Sequence, residues 1–131
     1  GPDLSWIYLQ YTDDIGHQYG DGEVFDKAVV EIDTHAGRIW SAVMARQESY
    51  SEDWLIIVTT DHGRDAETGR EHEGHSERER TTWMVTNSTR LLPRFKQTPE
   101  VVDIFPSIAR HLGFTIPDNV ARHLDGLTFI Q

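Results

Sequence analysis

Apolar positions divide the chain into segments of two different periods. Residues 4–12 (LSWIYLQYT) form a nearly continuous apolar and β-favouring run, which is typical of a strand buried on both faces. Residues 54–60 (WLIIVTT) are a second run of this kind, and residues 81–87 (TTWMVTN) are a third. The pattern therefore predicts three short strands, the first two of them separated by a long helical segment.

In that helical segment, apolar residues recur at steps of three and four, which is the period of an amphipathic helix. The stripe starts near Asp21 or Gly22 and ends near Arg46. A strand, a helix and a second strand with short connections form a βαβ unit, whose two strands run parallel. We therefore expect an α/β fold with a mostly parallel sheet flanked by helices.

The last third of the chain contains a second helix signature. Residues 64–80 have almost no apolar position, which indicates a loop before the third strand. Further on, Thr98 is the predicted N-cap of a helix with Pro99 at its first position, and Gly113 lies past its end. Pro106 lies inside this pattern and is expected to kink the helix or restart it.

Composition and charge narrow the class of protein. The chain is 37% hydrophobic and 26% charged, as in ordinary globular domains, and its 131 residues predict a single domain. The formal net charge of −10 argues against binding to a nucleic-acid polymer or an anionic membrane. The absence of cysteine excludes disulfides and thiolate metal ligands. Gly1-Pro2 has the form of a cleavage scar, so we expect the natural N-terminus to lie upstream.

Metal-type ligands follow both of the first two predicted strands. The first is followed by Asp13, Asp14 and His17, and the second by Asp61 and His62. Strand carboxyl ends line the ligand crevice of an open parallel sheet, so we expect these side chains to converge. Clustered carboxylates need a compensating cation, and added imidazoles favour zinc or a similar transition ion over calcium or magnesium. Asp14 lacks the four-residue spacing to His17 and is interpreted as a neighbour of the site.

The polar loop carries two further histidines, His72 and His75, just before the third strand. A loop at that position can fold back over the crevice, so three segments would deliver ligands to one edge of the sheet. Asp103 has no motif that connects it with these residues, and we interpret it as a structural hydrogen-bonding residue. The sequence thus predicts a mixed nitrogen and oxygen metal site.

These motifs resemble those of the alkaline phosphatase superfamily, in its type I phosphodiesterase/nucleotide pyrophosphatase branch. DDIGH is similar to the Asp-x-x-x-His element of that family, and VTTDHG to its strand-ending Asp-His-Gly. EGHSERERTTWMV resembles its Gly-His segment before a strand, and VVDIFPSIARHLG resembles one of its helices. LDG, near Asp125, resembles its closing element. The resemblance spans nearly the whole chain, with the motifs in the family's order.

The resemblance implies an alkaline-phosphatase-like fold and hydrolysis of small-molecule phosphate esters at two zinc ions. Five residues match the family's metal ligands: Asp13, His17 and His75 for one zinc, and Asp61 and His62 for the other. His72 is the alternative to His75. Arg64 follows the Asp-His-Gly motif and could contact a substrate phosphate or lie solvated in the loop. The resemblance also favours an extracytoplasmic location.

Two parts of the family pattern have no counterpart here: an N-terminal Asp ligand and a Thr or Ser nucleophile at a helix start. Thr12, Thr59 and Thr60 are predicted at strand ends, without such a helix. The chain therefore resembles the C-terminal part of such an enzyme, and we expect it to be inactive or very weakly active alone and to self-associate through an exposed sheet edge.

Several alternatives to the phosphodiesterase hypothesis stay open. One is a catalytically incomplete metal-binding or structural module, which the missing nucleophile would suit. Another is a phosphomonoesterase. The choice between monoesters and diesters depends on pocket residues, which the sequence does not identify. A sulfatase is disfavoured, since that branch typically binds one calcium ion and has Asn where His62 stands.

Overall fold

A computed structural model describes every residue from Gly1 to Gln131. The chain forms two compact units, each built from two separate stretches of sequence. Unit 1 comprises residues 1–54 and 62–81, and unit 2 comprises residues 55–61 and 82–131. The single domain over residues 1–131 stays a prediction. None of the helices combines the length and the apolar character that crossing a membrane requires.

Unit 1 is helical. It contains α1 (Tyr11–Tyr19), α2 (Glu23–Tyr50) and the single turn α3 (Glu77–Arg80), with α1 packed against α2. Gly20 and Gly22 join the first two helices with φ angles of 70° and 135°, which residues with a side chain rarely adopt. The helix predicted from its apolar stripe is thus confirmed, and it ends four residues later than expected, at Tyr50 instead of Arg46.

The predicted first strand, residues 4–12, is wrong. Residues 4–9 have no regular secondary structure, and Tyr11 already begins α1. Most of its large apolar side chains are exposed, by 57% for Leu4 and 87% for Trp6. An isolated extended segment has no partner for its backbone hydrogen bonds, whereas two carboxylates in the first turn of α1 favour a helix through its dipole.

Unit 2 contains the only sheet, made of β1 (Ile57–Thr59) and β2 (Met84–Thr86). The strands pair antiparallel, with Val58 opposite Val85. Side chains extend the pairing at both ends: Asn87 Oδ1 accepts from the Ile56 N–H at 2.8 Å, and the Thr59 hydroxyl donates to the Trp83 carbonyl at 2.7 Å. The expected mostly parallel sheet is therefore corrected to a two-stranded antiparallel one, because the second and third predicted strands pair directly with each other.

The second predicted helix is α4 (Ile104–His111), which follows a 3₁₀ turn at Val101–Asp103. The expected cap at Thr98 is wrong, since Glu100 caps the turn in a reciprocal capping box with Asp103. Pro106 lies in the first turn of α4, where a backbone N–H would have no partner inside the helix. The predicted end is confirmed, because Gly113 follows the C-cap with φ 71°.

Asp103 is the most connected buried group of unit 2, with only 1% of its surface exposed. Its carboxylate accepts from the backbone N–H of Leu127 at 2.8 Å and of Glu100 at 3.0 Å. Nη2 of Arg94 donates to both carboxylate oxygens at 3.1 Å. The interpretation of Asp103 as a structural residue is therefore confirmed.

Ser107, one turn further along α4, extends this network to the end of the chain. Its hydroxyl donates to the Asp103 carbonyl at 2.7 Å and accepts from the Phe129 N–H at 3.0 Å. Phe129 and Ile130 are both buried, and the Phe129 ring lies 5.1 Å from that of Phe95. The core of unit 2 thus combines apolar packing with a fully bonded polar centre. The short helix α5 (Asp118–Ala121) lies outside this core.

Candidate metal centre

Helix α1 presents a carboxylate and an imidazole on the same face. Asp13 and His17 are four residues apart, a spacing that brings helical side chains together. Nε2 of His17 lies 3.6 Å from Oδ2 of Asp13. Asp14, in contrast, accepts a hydrogen bond of 3.0 Å from Gln10, so its carboxylate is engaged elsewhere on the helix.

Two histidines from the long loop of unit 1 approach the same carboxylate. Oδ1 of Asp13 lies 4.0 Å from Nε2 of His62 and 3.8 Å from Nε2 of His72. The rings of His62 and His72 stack with their centroids 3.8 Å apart. Nε2 of His72 also lies 3.0 Å from Nε2 of His17. Four side chains from two distant parts of the sequence therefore converge within unit 1.

The neighbouring backbone sets the orientation of the His62 ring. Nδ1 of His62 lies 2.9 Å from the carbonyl oxygen of Gly63. A carbonyl oxygen can only accept, so Nδ1 carries a proton and donates it. In the neutral ring, the lone pair then resides on Nε2, the nitrogen nearest to Asp13. This arrangement is typical of metal-binding histidines, whose other nitrogen donates to a carbonyl or a carboxylate.

The donor set fits a divalent transition metal. Zinc bonds of about 2.0–2.1 Å in a tetrahedral shell separate neighbouring ligand atoms by roughly 3.3 Å. Nε2 of His17 and Nε2 of His72 lie 3.0 Å apart, and their closest distances to the Asp13 carboxylate are 3.6 Å, to Oδ2, and 3.8 Å, to Oδ1. Three imidazoles and one carboxylate suit zinc better than calcium or magnesium, which prefer oxygen ligands. The group Asp13, His62 and His72 alone has the spacing needed to hold an ion.

The other two predicted ligands lie elsewhere. Asp61 is exposed and belongs to unit 2, although it directly precedes His62 in the chain. His75 is exposed as well, and its side chain makes no hydrogen bond or ion pair. The structure instead brings His72, the alternative to His75, into contact with His17 and His62.

The loop that carries His72 is organised around a single carboxylate. Asp65 accepts from five donors: the backbone N–H groups of Glu67, Thr68, Arg70 and Glu71, and the Thr68 hydroxyl. The N–H groups of Thr68 and Glu71 contribute most to a pKa of the Asp65 carboxyl far below its ordinary 3.8. The resulting compact turn ends one residue before His72.

Helix α3 anchors the other end of this loop through Glu79, which is buried. Its carboxylate accepts from the Ser76 hydroxyl, the Ser76 N–H and the Gly74 N–H, and these bonds lower the pKa of Glu79. The Glu79 carbonyl accepts from the Gly63 N–H at 2.7 Å, directly beside His62. The sequence contains the signal for this turn, Ser76-x-x-Glu79, within the segment that we predicted to be loop.

Asp65→Asn is expected to loosen the turn before His72, because an amide cannot accept from all five donors. Amide hydrogen exchange at Thr68 and Glu71 should become at least about tenfold faster at neutral pH. Asp33→Asn, an exposed substitution on α2, is the matched control and should leave both rates unchanged.

The same variant tests the pH dependence. Because the folded-state pKa of Asp65 is depressed, its carboxylate stabilises the folded state at every pH above the unfolded value near 3.8. That contribution is lost as the pH falls from there towards the folded-state pKa. The difference in thermal stability between the wild type and Asp65→Asn should therefore be constant above about pH 5 and shrink below pH 4. A difference that grows on acidification would contradict this account.

Comparison with protein families agrees with the motifs. The family model described as type I phosphodiesterase / nucleotide pyrophosphatase matches residues 1–108, which include all four convergent side chains. The chain therefore belongs to the type I phosphodiesterase / nucleotide pyrophosphatase family, and this membership indicates a hydrolase. Neither the curated proteins nor the solved structures contain a match to the chain.

Proposed function

We propose that this chain forms the metal-binding part of a zinc-dependent phosphodiesterase or nucleotide pyrophosphatase that acts on small phosphate esters. The convergence of Asp13, His17, His62 and His72 carries this proposal. Family membership supports it independently, since it rests on the sequence over residues 1–108 and not on side-chain geometry.

We assign Asp13, His62 and His72 to one ion, because their ligand atoms all lie within 4.8 Å of one another, with His72 in place of His75. His17, whose Nε2 lies 3.0 Å from that of His72, is assigned as the fourth ligand of this ion. Asp61 is assigned to a second ion, on the basis of its sequence motif. When bound, such ions would polarise phosphoryl oxygens and lower the pKa of an oxygen nucleophile. Asp13 supplies the negative charge of the first set, and the imidazoles supply neutral donors. His62 holds its proton on Nδ1 through the Gly63 carbonyl, which leaves Nε2 for the metal.

The position of Thr12 differs from the sequence prediction and bears on the nucleophile. Thr12 lies in the first turn of α1 and not at a strand end. Successive helical residues project about 100° apart, so the Thr12 hydroxyl does not share the face of its neighbour Asp13. Thr12 therefore gives no reason to revise the expected absence of a nucleophile, and the inactivity of the isolated chain stays a prediction.

Zinc titration tests the proposal. We expect calorimetry to show zinc binding to the wild-type chain and a loss of at least about tenfold in affinity for His17→Ala. His35→Ala is the control, because His35 is an exposed histidine on α2 in the same unit. Absence of zinc binding to the wild type would overturn the proposed function.

A further inference from the structure

We propose that Arg64 is a positioning residue that holds Asp13 in its metal-binding orientation, and this inference rests on the proposed function. From the sequence alone, Arg64 was as compatible with a substrate contact as with a solvated loop position. In the structure only 7% of its surface is exposed, although arginine is rarely buried without partners.

The guanidinium bonds connect Arg64 to α1, which carries Asp13, and to the loop that carries His72. Nη2 donates to the Asp13 carboxylate through Oδ1 and to the Asp13 carbonyl oxygen at 2.8 Å. Nη1 donates to the Arg70 carbonyl at 2.8 Å, two residues before His72. One side chain therefore fixes α1 and the His72 loop against each other.

Gly16 makes this close approach possible. A Cβ atom at position 16 would lie 2.3 Å from Cζ of Arg64 and 2.4 Å from its Nε, both far below van der Waals contact. Glycine is unfavourable in the middle of a helix. At position 16 of α1, the missing side chain leaves the space that the Arg64 guanidinium occupies.

The contact with Arg64 fixes the Asp13 carboxylate through one of its oxygens. Oδ1 is held by the guanidinium and also faces Nε2 of His72 at 3.8 Å, whereas Oδ2 is the oxygen nearest to His17, at 3.6 Å. Outer partners of this kind orient a ligating carboxylate. The guanidinium is turned into the protein towards Asp13 and Arg70, and only 7% of the Arg64 surface is exposed, which argues against a direct contact with a substrate phosphate.

Two effects of Arg64 on metal affinity have opposite signs, which makes the inference testable. The positive charge of the guanidinium repels a cation, so charge alone predicts tighter zinc binding when Arg64 is removed. Orientation of Asp13 predicts weaker binding, by about 10–100-fold for a lost outer partner. We infer that orientation dominates, because the guanidinium fixes the carboxylate and the main chain of the same residue.

The experiment compares Arg64→Gln and Arg64→Lys with the wild type by zinc calorimetry and by the visible spectrum of bound Co²⁺. Both variants should lose about 10–100-fold in zinc affinity, because neither side chain reproduces the planar set of donors. The Co²⁺ spectrum should also change, because it reports on the ligands of the ion. A purely structural role of Arg64 would leave that spectrum unchanged. Arg46→Gln, which removes a two-bond pair with Glu52 at the end of α2, is the matched control and should bind like the wild type.

Gly16→Ala provides a second test that retains every donor, and it covers the case in which the Arg64 variants fail to fold. Its Cβ should displace the guanidinium and lower zinc affinity at least about tenfold, with α-helical circular dichroism retained. Unchanged or tighter zinc binding in the folded variants would overturn the role of Arg64. If the wild type itself binds no zinc, the proposed function fails. A failure of the proposed function is therefore distinguishable from a failure of the role of Arg64 alone.

Discussion

His72→Ala is expected to weaken zinc binding by more than about 100-fold, since removal of an outer-shell partner alone already costs 10–100-fold. Nε2 of His72 lies 3.0 Å from that of His17 and 3.8 Å from the Asp13 carboxylate, so the variant removes a direct ligand in our assignment. His75→Ala, three residues further along the same loop, should leave the affinity within about twofold, because the His75 side chain is exposed and makes no bond.

The two variants form a matched pair, because they remove the same side chain from the same loop. Calorimetric titration with zinc measures both, and amide exchange at Thr68 and Glu71 checks that the Asp65 turn is intact in each. A loss confined to His75→Ala would reverse the assignment and restore the ligand that the Gly-His motif suggested. Equal losses in both variants would contradict the geometry of the loop.

Asp103→Ala is expected to lower the free energy of unfolding of unit 2 by about 3 kcal/mol, as for other buried ion pairs that lose one partner. The figure is at the lower end of the usual range, because the Arg94 side chain is 30% exposed and can be solvated again. The N–H groups of Glu100 and Leu127 would lose their acceptor within a packed core.

Urea unfolding followed by circular dichroism measures this loss, and Asp103→Asn should fall between alanine and the wild type because it keeps the shape and one acceptor. Asp125→Ala is the control, since Asp125 is an exposed aspartate of the same unit. A loss below about 1 kcal/mol for Asp103→Ala would mean that the carboxylate network contributes little beyond its desolvation cost.

Elements governed by local periodicity could be predicted from the sequence. The stripe from Val24 to Val43 lies within α2, and the apolar runs around Val58 and Val85 contain the two strands. Residues 4–9, by contrast, were wrongly predicted as part of a strand. A strand needs a partner that is distant in sequence, and an apolar run does not specify whether one is present. The direction of pairing between β1 and β2 is likewise a tertiary property.

The candidate site divides in the same way. The four-residue spacing of Asp13 and His17 places them on one face because the segment is helical. The choice between His72 and His75 depends on the loop, whose path follows from the five hydrogen bonds of Asp65. No sequence pattern connects Arg64 with Asp13, because the two are 51 residues apart.

The glycine in the middle of α1 has a consequence for the order of folding. A helix of nine residues with an internal glycine is too short and too weak to persist alone in water. Its contact with Arg64 closes a loop of 51 residues, and such closure is slow compared with local helix formation. We therefore expect α2 to form early and the contact between α1 and Arg64 to form late, so that Asp13 meets the loop of His72 only after the helices have packed.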